Sequence, residues 1–175
     1  MAVILERPCP NKLDDYEQTK FKMISIEVKN YIDKSVLCWL ATSNRQNEPN
    51  VSPKEIFTYK GSRTLLIGNV TSQNSINNIK DNPNVCVSFV DVFVQKGFKL
   101  KGTAVLIDQN DSKYSEKVKP LTDLFTDEFP IKTVIEIEIN KVDKIQAPSY
   151  FLFPDRTEQS QIENAMRTYK VKPID

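Results

Sequence analysis

Histidine is absent from the 175-residue chain. Its absence excludes Ser-His-Asp and Cys-His catalytic sites, histidine metal centres and histidine-ligated haem. The chain also has only four glycines, and none of them lies in a GxGxxG or Walker-type spacing, the patterns whose backbone N–H groups hold phosphates. A phosphate-bearing ligand would therefore have to be held by side chains and a helix terminus.

Cysteine is scarce as well. Cys9, Cys38 and Cys86 are far apart and form no CxxC pair, which argues against both a zinc site and a disulfide framework. Cys38 and Cys86 lie within apolar runs, so we predict that both are small core residues. No metal site is expected.

Charge of neither sign predominates: 24 Lys plus Arg face 23 Asp plus Glu, interspersed along the chain. This balance argues against a basic face for nucleic acid, and a small barrel for single-stranded nucleic acid would also need aromatic residues interleaved with a basic groove. No apolar run approaches the length of a membrane span, and the N-terminus lacks the pattern of a signal peptide. We therefore expect a cytoplasmic protein with no nucleic-acid or membrane partner.

Six apolar, β-branched runs predict strands separated by polar turns. Pro53 lies within the second run, which places that part at a sheet edge or a bulge. The fifth run is either a strand pair that turns near Lys96 and Gly97 or one strand with a bend. The six runs lie at residues 36–41, 51–59, 64–68, 85–90, 91–108 and 133–142.

Helical spacing of apolar residues predicts helices near residues 24–32, 72–81, 111–125 and 158–169. These helices interrupt the strands rather than alternate with them. The pattern therefore favours a mainly β fold with helices, a six-stranded antiparallel β-barrel with inserted and terminal helices, over a doubly wound sheet. We divide the chain into an N-terminal arm at residues 1–24, a barrel domain at 25–145 and a C-terminal extension with a helix at 146–175.

Residues 64–83, with the sequence TLLIGNVTSQNSINNIKDNP, predict a strand, a polar turn and a helix. A helix start leaves backbone N–H groups without intrahelical partners and carries partial positive charge, so the hydroxyl and amide side chains of the turn could bind an anion there. The same side chains are also ordinary helix N-caps. This stretch alone leaves both interpretations open.

Three segments together resemble the FMN-binding split-barrel proteins related to pyridoxamine 5'-phosphate oxidase. They are VLCWLATSNRQNEPNVSPKEIF, TLLIGNVTSQNSINNIKDNPNVCVSFVD and VFVQKGFKLKGTAVLI. The resemblance covers residues 36–107 well and residues 135–139 more weakly. It implies a split barrel of the FMN-binding type, FMN as the cofactor, and a homodimer with the flavin near the interface.

The resemblance also implies a cofactor-binding set. Many relatives carry Lys or Arg at the position of Asn74, so the phosphate here would have less positive charge around it, and Lys54, beside Pro53, becomes more important. Asn69 would lie near the edge of the flavin ring, Lys99 or Lys101 could stabilise the reduced ring as cations, and the segment containing Gln95 and Lys96 would form a second wall across the interface. The residues expected to hold the phosphate are Ser52, Lys54, Ser72, Gln73, Asn74 and Ser75, and the aromatic candidates on the second wall are Phe93 and Phe98.

The activity implied by the resemblance is that of an FMN-dependent oxidoreductase with hydride transfer like a flavin reductase. Two alternatives stay open: a flavin-binding or electron-transfer module without its own substrate, and a deazaflavin-dependent reductase. No residue of the sequence stands out as a general acid or base for a substrate. The catalytic residues are therefore not assigned.

Overall fold

The computed structural model describes residues 24–125 and 130–174. Within these ranges, seven strands form one antiparallel sheet in which the fifth, sixth and seventh strands are central. The strands are β1 (Cys38–Ser43), β2 (Pro49–Lys54), β3 (Phe57–Lys60), β4 (Thr64–Asn69), β5 (Asn84–Asp91), β6 (Lys96–Asp108) and β7 (Thr133–Gln146). Their order in the sheet is β2-β1-β5-β6-β7-β4-β3.

The two edge strands of the sheet, β2 and β3, follow one another directly in the chain. Because only residues 55 and 56 join them, the sheet must curl until its edges approach each other. The predicted antiparallel split barrel is thus confirmed, with seven strands rather than six. The extra strand arises because the run at 51–59 divides at Ile56, whose carbonyl oxygen accepts the Gly68 N–H at 2.8 Å.

Pro53 lies in edge strand β2, as predicted. A proline has no N–H to donate to a neighbouring strand, so an edge position suits it. The predicted alternation at 133–142 is also confirmed, since Ile135, Ile137 and Ile139 are buried in the barrel. The strand itself continues further, to Gln146.

The run at residues 91–108 forms the end of one strand, a turn and a single long strand. Gln95 adopts a left-handed backbone conformation (φ 57°) in this turn, and β6 begins at Lys96. Gly97 follows because a Cβ atom there would lie 2.0 Å from the carbonyl oxygen of Phe89. We call residues 91–96 the hairpin end.

Five helices surround the sheet in the described ranges. Ser25 begins the first helix as predicted, because its hydroxyl accepts the Val28 N–H at 3.3 Å. The aromatic segment after Pro148 forms a single helical turn that was not predicted. The helices are α1 (Ile26–Lys34), α2 (Gln73–Asp81), α3 (Tyr114–Thr122), α4 (Ser149–Leu152) and α5 (Glu158–Tyr169).

Two buried clusters stabilise this arrangement. The larger one fills the barrel and includes Leu40, Phe89 and Phe98, while the smaller one lies beneath α3 around Leu121. None of the helices in the described ranges is long and apolar enough to cross a membrane. The arm predicted at residues 1–24 lies, except for Ile24, outside the described residues.

Candidate functional site

Three elements, β1, β2 and the start of α2, bring a group of polar side chains together. In the antiparallel register, Thr42 pairs with Asn50, Leu40 with Ser52, and Cys38 with Lys54. Alternate residues of a strand share a face, so the side chains of Asn50, Ser52 and Lys54 all lie on the face of β2 that α2 covers.

A cavity of about 300 Å³ opens between β2 and the start of α2. None of its lining residues is charged. Five of the six residues predicted to hold a phosphate line it, and two residues that the sequence analysis missed, Asn50 and Thr71, complete it. The lining residues are Asn50, Ser52, Thr71, Ser72, Gln73, Asn74 and Ser75. These residues, together with Lys54, are called the polar cradle below.

Lys54 supplies the positive charge of the polar cradle. Its side chain is only 5 % exposed, and its Nζ donates a hydrogen bond of 2.5 Å to the Ser72 hydroxyl. Burial lowers the pKa of the Lys54 ammonium, and the electrostatic influence of Cys38 opposes this shift. No carboxylate of the described residues pairs with Lys54. A buried cation without an acidic partner favours the binding of an anion.

The start of α2 offers further donors. Ser72 is the N-cap residue, yet its hydroxyl accepts no N–H of the helix and bonds Lys54 instead. The backbone N–H groups of Asn74 and Ser75 consequently have no acceptor among the described residues. The alternative in which this turn only caps the helix is therefore not supported at Ser72, and an anion could accept from both N–H groups.

Asn69 shapes the turn that leads into α2. The residue is 5 % exposed. Its side-chain oxygen accepts the Ser72 N–H at 3.3 Å, and its carbonyl oxygen accepts the Lys132 N–H at 3.0 Å. These bonds fix the turn on which Ser72 lies. A contact of Asn69 with a ligand ring stays a prediction.

A hydrogen-bond network lies behind the cavity. Ser75 is fully buried, and its hydroxyl lies 3.0 Å from that of Ser52 and accepts from Asn50 Nδ2 at 3.3 Å. Asn50 Nδ2 also donates to Thr42 Oγ1 at 3.2 Å, and Asn78 Nδ2 donates to the same oxygen at 3.1 Å. The sequence did not predict a role for Thr42, Asn50 or Asn78, although the period of two along β2 places Asn50 on the face of Ser52 and Lys54.

The remaining predicted residues lie away from the polar cradle within one chain. Lys99 and Lys101 point outward from β6 and are exposed. In the register Lys99 pairs with Ser88, which pairs with Trp39, and Lys101 pairs with Cys86. We call the outward side of β1, β5 and β6 the outer face. Cys86 is half-buried there, so the prediction of a core position is confirmed for Cys38 and wrong for Cys86.

Gln95 and Lys96 lie at the hairpin end, where the C-terminal extension holds Lys96. The Lys96 ammonium forms an ion pair of 2.7 Å with Glu158 and lies 4.3 Å from the ring centre of Tyr150. Phe93 packs edge-on against Tyr169. Phe98 was also predicted to lie on this wall. That prediction is wrong, because Phe98 is 1 % exposed and belongs to the barrel core.

Within the described ranges, no group of three or more Cys, Asp and Glu residues is arranged to hold a metal ion. Cys9 lies outside these ranges, so the absence of a metal site from the whole chain stays a prediction. The chemistry of the polar cradle is that of an anion site built from one ammonium, backbone N–H groups and hydroxyl groups. Apart from the Lys54 ammonium, it contains no side chain with an obvious acid–base role.

Several solved structures resemble the chain, whereas no curated protein matches it. HupZ of Group A Streptococcus is 25 % identical, with a TM-score of 0.62 over 71 % of this chain and 96 % of HupZ. An FMN-binding protein from Syntrophomonas wolfei is 17 % identical, with a TM-score of 0.59 over 69 % of this chain and 84 % of that protein. A protein from Clostridium acetobutylicum that is related to general stress protein 26, of the pyridoxinephosphate oxidase family, is 19 % identical. Its TM-score is 0.55 over 69 % of this chain and 87 % of that protein.

The similarities below 25 % identity establish the fold alone. The sequence itself matches the family model of pyridoxamine 5'-phosphate oxidase over residues 24–146. This range includes the whole barrel and the polar cradle. The chain belongs to the pyridoxamine 5'-phosphate oxidase family.

Proposed function

We propose that the protein binds FMN, with the flavin phosphate in the polar cradle. The observation that carries this proposal is the buried Lys54 ammonium, which bonds Ser72 at the start of α2 and has no carboxylate partner in the described part of the chain. The similarity to an FMN-binding protein of the same fold supports it.

The residues present fit a phosphate monoester. Such a phosphate has a second pKa of about 6 and is mainly a dianion at neutral pH. Lys54 offers one full charge, and the N–H groups of Asn74 and Ser75 add the partial positive charge of a helix start. The lining has no acidic residue that would repel the ligand. Charge and hydrogen-bond donors are therefore both matched to the phosphate end of FMN.

The proposed activity is that of an FMN-dependent oxidoreductase. Bound FMN would supply the hydride chemistry, while the chain would position the flavin and exclude water from it. Lys99 and Lys101 are exposed cations of the outer face that could stabilise negative charge on a ring that reaches it. The polar cradle provides anchoring, and the residues that line its cavity offer no group for acid–base chemistry on a substrate.

A homodimer would complete the site. The outer face exposes Trp39 (44 %) and Val90 (37 %), and the neighbouring edge strand exposes Val51 (57 %). Large apolar side chains grouped on one face favour contact with a protein partner. A second copy on this face would cover them and bring its own hairpin end toward the flavin. The free cysteines are consistent with the proposed cytoplasmic location.

A second candidate function is that of a flavin-binding or electron-transfer module without its own substrate. The observation that favours it is the absence of an acid–base group among the cavity lining residues. A deazaflavin-dependent reductase is the other alternative, because a phosphate-binding cradle does not by itself select the ring of the ligand.

Titration of the purified protein with FMN, riboflavin and a deazaflavin, followed by absorption and fluorescence, tests the proposal. We expect FMN to bind at least about a hundredfold more tightly than riboflavin, the equivalent of about 2.7 kcal/mol for the phosphate. Oxidation of a reduced nicotinamide by the FMN-bound protein would support an oxidoreductase. The absence of such oxidation would support the binding module. Equal affinities for FMN and riboflavin would overturn the assignment of the polar cradle.

A further inference from the structure

Thr42 lies behind the polar cradle at the centre of a network that joins β1, β2 and α2. Its hydroxyl oxygen accepts hydrogen bonds from the side-chain amides of Asn50 (3.2 Å) and Asn78 (3.1 Å). Thr42 is 5 % exposed and does not line the cavity. It therefore links the edge strand to the helix without being placed to touch a ligand in the cavity.

The bonds of Asn50 give this network a direction. A side-chain amide nitrogen has two N–H groups, and in Asn50 one donates to Thr42 and the other to Ser75. Because Thr42 accepts from Asn78 as well, both lone pairs of its oxygen are occupied. In this arrangement the Asn50 amide turns its nitrogen, rather than its oxygen, toward Ser75.

The direction continues to the cavity. Ser75 is fully buried and lies 3.0 Å from Ser52, so the proton of the Ser75 hydroxyl can be donated to Ser52. The Ser52 hydroxyl then keeps its own proton for an acceptor in the cavity. A chain of aligned hydrogen bonds strengthens each donor in it. With Ser75 as the donor in this pair, the network offers an additional O–H donor to an anion beside the N–H groups of α2.

We propose that Thr42 is a positioning residue that orients Asn50 and Ser75 so that Ser52 donates to a phosphate in the polar cradle. This inference rests on the proposed function and names a residue that contributes to the preference for a phosphorylated flavin. Thr42 acts through Asn50 and the two serines and takes no part in chemistry. Removal of the Thr42 hydroxyl should therefore weaken binding of the phosphate and leave binding of the flavin ring unchanged.

The test compares Thr42→Val with Thr42→Ser. Valine keeps the shape of threonine and suits a strand, but it offers no oxygen to Asn50 and Asn78, whereas serine keeps that oxygen. The matched control is Ser43→Ala, because Ser43 accepts from Asn82, the C-cap residue of α2, at 2.9 Å. The control removes a similar bond between β1 and α2 at the end of the helix away from the polar cradle.

The readout is the ratio of the FMN and riboflavin dissociation constants, with thermal unfolding and circular dichroism of each ligand-free variant alongside. We expect Thr42→Val to weaken FMN about fivefold, the loss of about one hydrogen bond, and to change riboflavin less than about twofold. Thr42→Ser should keep the wild-type ratio. Ser43→Ala should also keep it, even if this variant loses as much stability as Thr42→Val.

Two failures can be told apart. A wild-type protein with no preference for FMN would overturn the proposed function and this inference with it. A wild-type preference that persists in Thr42→Val, or that falls equally in Ser43→Ala, would overturn the role of Thr42 and leave the proposed function intact. Loss of folding in Thr42→Val, with Thr42→Ser also failing to keep the FMN preference, would overturn it as well.

Discussion

The polar cradle and the hairpin end differ in how their polar groups are paired. In the polar cradle, the Lys54 ammonium lacks a carboxylate partner and the N–H groups of Asn74 and Ser75 lack acceptors among the described residues. At the hairpin end, by contrast, Asp91 accepts the N–H groups of Phe93 and Val94 at 3.0 and 3.1 Å. One region keeps donors available, and the other uses them internally.

The C-terminal extension completes the pairing at the hairpin end. Tyr150 donates its hydroxyl to the Val94 carbonyl oxygen at 2.7 Å, the Ala147 N–H bonds the Gln95 carbonyl oxygen at 3.0 Å, and Glu158 pairs with Lys96. The hairpin end is consequently suited to provide a wall of fixed shape. The polar cradle is suited to bind charge, and the two regions should respond differently to mutation.

Lys54→Met should give the largest effect. The variant removes the full charge that faces the proposed phosphate, so we expect FMN affinity to fall at least about thirtyfold, or about 2 kcal/mol, with riboflavin much less affected. Calorimetric titration measures both ligands. Lys60→Met is the matched control, because it removes the same charge from an exposed lysine of β3 that pairs with Glu116. A similar loss of FMN affinity in both variants would contradict the prediction.

The same variant should make the ligand-free protein more stable, because a buried cation without a carboxylate is costly. The pKa of Lys54 is lowered in the folded state, so the unfolded chain binds more protons between that lowered pKa and the ordinary value of 10.5. The free energy of unfolding should rise with pH in this window in the wild type. Lys54→Met should lack this contribution when denaturant unfolding is followed at several pH values.

The pH dependence of FMN binding should give the next largest effect. Protonation of the phosphate below about pH 6 removes one of its two charges, so affinity for FMN should fall about tenfold between pH 7 and pH 5. The cavity lining has no carboxylate that titrates in this range. Riboflavin is the control because it has no phosphate. A parallel pH dependence for both ligands would place the phosphate outside the polar cradle.

Asn74→Lys should strengthen FMN binding moderately. Asn74 lines the cavity at the start of α2, where Lys54 is the one cation of the polar cradle. An added exposed cation should improve FMN affinity about threefold, in the range of exposed ion pairs, and the gain should decline at high salt. The uncharged variant Asn74→Gln is the control. No gain at low salt would show that residue 74 does not face the phosphate.

The fold was predictable because short-range patterns encode it. The alternation of Ile135, Ile137 and Ile139 and the α5 bounds at 158–169 follow from local periodicity. The Ser25 cap follows from the preference for serine at a helix start. The division of residues 51–59 was missed because it depends on the long-range bond between Ile56 and Gly68. Phe98 and Cys86 were misplaced because neighbouring apolar residues along a strand face opposite sides.

The candidate site was predictable only in part. The start of α2 gave a local signal, and the family resemblance added Ser52 and Lys54. Thr42 and Asn78 were missed because they join the site through contacts across 36 residues of chain, which no local pattern records. Likewise, the pairing of Lys96 with Glu158 depends on the path of the C-terminal extension, and the sequence alone offered no functional signal there.

Tyr150→Phe should have the smallest effect on ligand binding. The variant removes only the hydroxyl that bonds Val94, so the free energy of unfolding should fall by about 1 kcal/mol. If the hairpin end acts through shape, the affinities for FMN and riboflavin should change by the same factor, less than about twofold, so that their ratio stays constant. Denaturant unfolding and titration of both flavins measure these quantities. A change in the FMN to riboflavin ratio would mean that the hairpin end contributes to phosphate binding, because the ring and ribityl chain are common to both ligands.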